Sequence, residues 1–350
     1  MKVLALHLPQ FHTIPENDEW WGEGFTEWTN IKKHNRYSNK LKPLDDNYYN
    51  LLDKETMIWQ NKLAAENGIE GFCYYHYYFK GKKLLEKPAE NLLKWKDITQ
   101  KFCFQWANHT WKRSWQGKQD ILIKQEYGEM PDWLEHFRYL EKFFVDERYI
   151  KIDNKPLFII FDNKFECKAQ MMQLFDAECK KIGFNGVYFV ENIGSKLDMK
   201  HVISNSNAIL LREPAFSHHT DFFTRVAKKM CNSLFKVPRK YKAWTIMKTQ
   251  IKNLENKKFD KQVFLGAFAM WDNTYRHNSR GYKITPPSEA QFVEYLQKLK
   301  EYGEVNNVPF LLFNAWNEWA EGMILEPSNL YGLAYLECIR EVFGSFDNYE

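Results

Sequence analysis

Hydrophobic and polar positions alternate along this chain on two scales, dividing it into short apolar runs separated by longer amphipathic ones. The runs are Val3–Leu8, Gly71–Tyr78, Phe102–Ala107, Leu157–Phe161, Val187–Val190, Ala208–Leu211, Val263–Met270 and Phe310–Phe313. Several are apolar throughout, the pattern of strands buried on both faces. Between them, Lys54–Glu66, Pro88–Lys96, Pro131–Phe144, Lys168–Lys181, Lys240–Asn256 and Glu289–Tyr302 have the spacing of amphipathic helices. Turn signals separate helix from following strand: Asn67-Gly68, Asn154-Lys155-Pro156, Gly183 with Asn185-Gly186, and Asn306-Asn307 before Pro309. This alternation predicts an α/β fold, a closed (β/α)8 TIM barrel in preference to an open doubly wound sheet. Such barrels run from roughly 250 to more than 400 residues as one domain, so a single domain over 1–350 is expected. The basic, irregular stretch 217–260, with Lys228-Lys229 and Pro238-Arg239-Lys240, reads as an insertion within it.

Polar groups stand at the end of nearly every apolar run. They are His7 and Gln10, His76, Asn108 and His109, Asp162, Glu191, Arg212 and Glu213, Asp272, then Asn317 and Glu318. Any one is explained by a strand stopping at a polar turn. Their recurrence fits a barrel, which gathers its strand C-termini, and its active site, at one face.

Composition sharpens this picture at one point. The chain has 13 Trp, 19 Tyr and 27 Phe, so 17% of it is aromatic, and several of the tryptophans fall in polar segments. Flat rings beside polar groups suit the faces of sugars or nucleobases. Charge argues against nucleic acid and against an anionic membrane, because 49 basic and 45 acidic residues leave only +4. No stretch approaches the ~18 apolar residues of a membrane span. The apolar run at the N-terminus ends at His7 and Pro9, too short for a signal segment. Six scattered cysteines without a C-x-x-C pair read as reduced thiols, so a cytoplasmic location is expected. Oligomeric state is left open.

The densest chemistry lies in Phe310–Gly322, where an apolar strand runs into Asn314-Ala315-Trp316-Asn317-Glu318-Trp319-Ala320-Glu321. If Glu318–Glu321 forms one turn, the two side chains share a side, with Cβ atoms ~5–6 Å apart. Two carboxylates so placed do not both ionise easily, so one serves as acid and the other as base or nucleophile. That is the equipment of glycoside cleavage. Aromatic, amide and imidazole groups at the other strand ends complete a predicted sugar-binding wall: His7, Gln10, Trp28, Tyr75, His76, Trp106, Asn108, Trp111, Trp271, Asp272, Asn317 and Trp319. No H-x-H or H-E-x-x-H occurs, and neither does D-x-D, a P-loop or G-x-G-x-x-G. No metal and no cofactor is therefore expected.

Five segments carry a family resemblance. They are LPQFHTIPENDEWWGEGFTEWTN from Leu8 to Asn30, the Tyr-rich second run, FQWANHTW from Phe104 to Trp111, MWDNTYRH from Met270 to His277, and WNEWAEG from Trp316 to Gly322. Together they resemble the WbsX-type family over nearly the whole chain. That resemblance implies a role in surface polysaccharide (O-antigen or capsule) biosynthesis and the label glycosyltransferase. The N-E-W-x-E-G segment is more remotely similar to glycoside hydrolase family 99, endo-α-1,2-mannosidases and mannanases on a (β/α)8 barrel. This second resemblance implies that Glu318 deprotonates a sugar 2-hydroxyl, whose O2 attacks the anomeric carbon. It also implies that Glu321 protonates the leaving oxygen and later activates water. Ala320 stands where those hydrolases often carry a bulkier polar residue, and their early barrel motifs are not evident, so linkage and sugar identity do not transfer. Three classes remain: a retaining endo-glycoside hydrolase on a polysaccharide or oligosaccharide (a mannose-containing one by the second resemblance), a glycosyltransferase, and a non-catalytic glycan-binding barrel.

Overall fold

Parallel strand pairs run in one unbroken ring in the computed structural model, which describes residues 1–33, 41–113, 120–218, 226, 230, 238–274 and 281–344. The eight barrel strands are β1 (Lys2–His7), β2 (Gly71–Phe79), β3 (Lys101–Trp106), β4 (Lys155–Ile160), β5 (Tyr188–Ile193), β6 (Ala208–Leu211), β7 (Gln262–Ala267) and β8 (Phe310–Phe313). Each pairs in parallel with the next, and β8 returns to β1 through Lys2–Phe310 to Ala5–Phe313. Closure removes every sheet edge, the (β/α)8 TIM barrel that the apolar pattern predicts.

Seven helices of eight residues or more accompany the strands among the described residues: α1 (Lys54–Glu66), α2 (Lys87–Lys94), α3 (Met130–Phe144), α4 (Lys168–Lys181), α5 (Ala243–Asn256), α6 (Glu289–Val305) and α7 (Ala334–Phe343). Between β5 and β6 a single 3₁₀ turn, Asp198–His201, replaces the helix. The start of α6 shows how the sequence sets a boundary. Ser288 Oγ accepts from Gln291 N at 3.3 Å while Gln291 Oε1 accepts from Ser288 N at 3.2 Å, a capping box that satisfies two otherwise orphaned donors. The helix α7 lies beyond the runs that the apolar pattern delimits.

Strand alternation decides which side chains meet the helices and which fill the barrel. Phe102 and Phe104 of β3 pack on Phe143 of α3, and Phe158 and Phe189 pack on Phe175 of α4. Those positions face outward. Their neighbours face the interior, where Phe264 of β7 meets both Tyr188 of β5 and Phe310 of β8. At Gly266 a Cβ would collide with the Leu211 carbonyl of β6, so this strand approach requires glycine.

The stretch expected as one insertion, 217–260, divides in two. Arg239–Lys242 pairs in parallel with Tyr282–Thr285, which also pairs with Trp271–Asp272 to form a small three-stranded sheet. From Ala243 onward the chain is α5, a helix of the barrel itself: Gln250 Nε2 donates to Gly266 O of β7 at 2.8 Å. Lys228, Lys229 and Cys231 lie outside the described residues. The other five cysteines are free thiols, and no described helix is long and apolar enough to cross a membrane.

Candidate active site

The segment after β8 is shaped by its backbone partners. Trp316 N donates to Leu6 O of β1 at 2.7 Å, which ties the segment to the barrel rim. Asn317–Glu318 then pairs antiparallel with Met323–Ile324, and Trp319–Glu321 forms a 3₁₀ turn at the tip. Gly322 closes this turn at φ +55°, with Asp272 packed against it. Hairpin geometry therefore delivers Glu318 and Glu321 to one side, and both line a cavity of about 420 Å³.

Tyr75 of β2 donates its hydroxyl to Glu318 Oε1 at 2.6 Å. Burial, reinforced by the Glu318 carboxylate, raises the Tyr75 pKa well above the usual phenol value, so the group remains a donor. Gln10, Trp111 and Trp271 line the same cavity. Of the predicted site residues, the structure thus brings Glu318, Glu321, Gln10, Tyr75, Trp111 and Trp271 together.

The other eight stand behind the cavity wall, a correction to the sequence reading. His7 is fully buried, with Nε2 3.0 Å from Gln60 Oε1 of α1; burial lowers its pKa to about 4 and keeps it neutral. His76 lies 2.8 Å from His136 of α3. Trp106 donates to Tyr78 O at 3.2 Å, and its ring packs on His136. Asn108 splices β3 to the end of β4, with its Nδ2 and Oδ1 each 2.7 Å from the Asp162 backbone. Asp272 is buried, accepting from Thr274 N at 3.1 Å and facing Lys283 Nζ at 3.0 Å. Asn317 brackets Leu8, accepting from its N at 2.7 Å and donating to its O at 3.1 Å. Trp28 donates to Tyr49 O at 2.8 Å, and its ring centroid is 5.6 Å from that of Trp319.

Trp319 leads to a carboxylate absent from the predicted set. Glu326 accepts from Trp319 Nε1 at 2.6 Å, Gln60 Nε2 at 2.7 Å and Tyr49 Oη at 2.9 Å. Burial nevertheless pushes its pKa up to about 7, the hydrogen bonds opposing the shift. From the first loop, Glu27 Oε1 accepts from Ala320 N at 2.9 Å, gripping the Trp319–Glu321 turn.

Alternation is the physical reason for these displacements. In β1 and β2, His7 and His76 face the helices, whereas Leu8 and Tyr75, each one residue away, face the cavity. Trp21, Tyr77, His109, Phe161, Arg212 and Asn314 also line the cavity. Counting by twos from the inward positions would have found Tyr77, Phe161, Arg212 and Asn314. Among the described residues, no three His, Cys, Asp or Glu converge as a metal-ligand group.

The sequence model of the family described as Glycosyltransferase WbsX matches residues 3–339. The chain belongs to the WbsX family. Two similar relatives are WxcX proteins from two strains of Xanthomonas campestris pv. campestris, ATCC 33913 and B100, each 29% identical over 97% of this chain. The match covers 49% of each, so this WbsX-family chain spans about half the length of the curated relatives it matches. Among solved structures, a glycoside hydrolase-like protein superposes with a TM-score of 0.62 at 12% identity, covering 98% of this chain and 94% of that one. The family 99 endo-alpha-mannosidase of Bacteroides thetaiotaomicron, in complex with bis-tris propane, gives 0.59 at 14% identity, covering 98% and 95%. These likenesses show that the WbsX-family chain shares a barrel fold with glycoside hydrolases.

Proposed function

We propose that this barrel binds a polysaccharide or oligosaccharide at its mouth and cleaves a glycosidic bond with retention of configuration. One observation carries the reading: Glu318 and Glu321 border a single cavity, and a phenol donates to Glu318. Donation from Tyr75 favours the ionised form of Glu318, which suits a base. Glu318 takes the proton of the sugar 2-hydroxyl, and O2 displaces the leaving oxygen at the anomeric carbon to form a 1,2-anhydro sugar. Glu321 protonates the departing oxygen. In the second half, Glu321 takes a proton from water, water opens the three-membered ring at the anomeric carbon, and Glu318 returns its proton to O2. Two inversions leave net retention, and both carboxylates end as they began. Trp21, Trp111 and Trp271 offer flat apolar walls for sugar faces, with Gln10, His109 and Asn314 between them for hydroxyls.

The test is incubation with a glycan panel that includes α-1,2-linked mannans, with anomeric configuration read by NMR. Release of a retained product supports the reading, as does binding without turnover of the matching 2-deoxy sugar. Efficient turnover of the 2-deoxy sugar, or an inverted product, overturns the mechanism. Nucleotide-sugar consumption in place of cleavage selects a transferase, and glycan binding unaffected by E318Q with no turnover by the unmodified chain selects a binding protein.

A further inference from the structure

The cavity that holds Glu318 and Glu321 also holds the guanidinium of Arg212. Arg212 follows β6 and lines the cavity, and its Nε is buried without a hydrogen-bond partner among the described residues. Its Cζ lies 4.6 Å from the centroid of the Phe161 ring, which occupies one face of the fork and none of its donors. Gly194 lies against the fork, and a Cβ there would collide with Nη2.

Nearby, Lys164 is paired with Asp198 at 2.8 Å, which raises its pKa, and Lys112 stands at the exposed rim of the same cavity. Glu213, next in the chain, gives no counter-charge. Its carboxylate is buried and turned to Ser217, accepting from N at 3.1 Å and from Oγ at 2.6 Å. The Tyr282 hydroxyl feels both the Glu321 carboxylate and the Arg212 guanidinium, so the two charges act across a common space. Arg148 shows the alternative this fold uses when an arginine is structural. It donates to Asp146 and to the carbonyls of Leu92, Trp95 and Ile98 through all three of its nitrogens.

We infer that Arg212 is the recognition point for an acidic sugar, and that the glycan bound here carries a carboxylate or phosphate oxyanion within this cavity. The inference rests on the proposed glycan-cleaving reading and names its substrate class. A neutral sugar would leave the buried Nε without an acceptor, and an acidic sugar without Arg212 would meet two carboxylates unshielded. The planar fork, stacked on Phe161 beside Gly194, offers paired donors to a planar or tetrahedral oxyanion.

The experiment is calorimetric binding to the full chain carrying E318Q, so that bound glycan is not consumed. The probes are mannuronate and galacturonate oligosaccharides, mannose-6-phosphate-bearing oligosaccharides, and their carboxyl-reduced or dephosphorylated counterparts. One acidic class should bind at least tenfold tighter than its neutral counterpart, and which class does so tells carboxylate from phosphate. Adding R212Q should abolish that preference while leaving affinity for the neutral counterpart within about twofold, and R212K should retain part of it. Neutral probes binding as tightly as acidic ones, or a preference that survives R212Q in a chain of unchanged melting temperature, overturns the inference and leaves the glycan-cleaving reading intact. Absence of binding by every probe, acidic and neutral, counts against both.

Discussion

Two carboxylate environments lie on opposite sides of the same seven residues, Trp316–Gly322. Behind them, Glu326 is 3% exposed and accepts three side-chain hydrogen bonds, one of them from the Trp319 indole. In front, Glu318 and Glu321 open onto a cavity, one of them held by the Tyr75 hydroxyl. The two regions share a segment and a residue type. They differ in burial: Glu326 is enclosed by its protein donors, whereas Glu318 and Glu321 line a space that a ligand can enter. A buried group with every bond made contributes rigidity, whereas one facing a cavity can exchange a proton with what enters.

Removing the front carboxylates should have the largest effect. E318Q and E321Q are each expected to slow cleavage by about 10²–10⁴-fold, with melting temperature nearly unchanged. E321Q should spare activated aryl leaving groups, which need little protonation, while E318Q should depress both alike. Equal loss on both substrates in E321Q would break the assignment of roles.

Striking the region behind should reverse the pattern. E326L leaves the Trp319 indole, the Gln60 amide and the Tyr49 hydroxyl buried without their acceptor, at a cost of about 2–4 kcal/mol in stability. Denaturant unfolding measures it. A loss below 1 kcal/mol would show that the network relaxes and that the two regions are less distinct than their bonding.

Stability against pH sharpens the same contrast. Burial raises Glu326 to about 7 and Glu213 to about 8, against 4.5 for an ordinary glutamate. Over that window the folded chain binds more protons than the unfolded one, so these groups stabilise fully below pH 4.5 and lose their contribution as pH rises through 7 and 8. Buried His7 and His12, lowered to about 4, and His76, lowered to about 3, act in the opposite direction, with His136 on the same side. Their contribution is lost as pH falls below 6.5. Four histidines outweigh two glutamates below pH 6.5, and above it the glutamates dominate as the histidine contribution levels off. Stability should peak near pH 6.5 and fall by roughly 1–3 kcal/mol by pH 8. A melting temperature that rises over that interval would refute it.

The barrel was legible because its strands are buried on both faces, so continuous apolar runs such as Leu157–Phe161 and Phe310–Phe313 mark them without ambiguity. The same continuity hides the direction in which each strand end faces. Tyr75 and His76 look alike as a pair of polar aromatics, yet one residue of register sends the first to the cavity and the second to His136 under α3. Glu191 is similar. It stands at a strand end as expected, and is spent on an ion pair with Lys168 at 2.6 Å on the helix side. Glu326 was unrecognisable for another reason. Its donors come from residues as distant as Tyr49 and Gln60, which only closure of the barrel brings to it.

The smallest effect expected is also the one that tests how the two regions communicate. Y75F removes a single hydrogen bond, the 2.6 Å donation to Glu318 Oε1, and leaves the ring between its neighbours. The phenol stabilises the anionic acceptor, so its loss weakens the anion and the acidic limb of the pH–rate profile should move to higher pH. At neutral pH, the rate should fall about tenfold, the equivalent of roughly 1.4 kcal/mol for a hydrogen bond to a charged group. KM should change little, because Glu318 remains in position through the Asn317–Glu318 pairing with Met323–Ile324 and does not depend on Tyr75 for its place. A structural role for Tyr75 predicts otherwise: a lower melting temperature, a raised KM and an unmoved acidic limb. Measuring kcat and KM across pH for Y75F therefore separates a residue that tunes the base from one that fills space. An unmoved limb would transfer Tyr75 from the front region to the back.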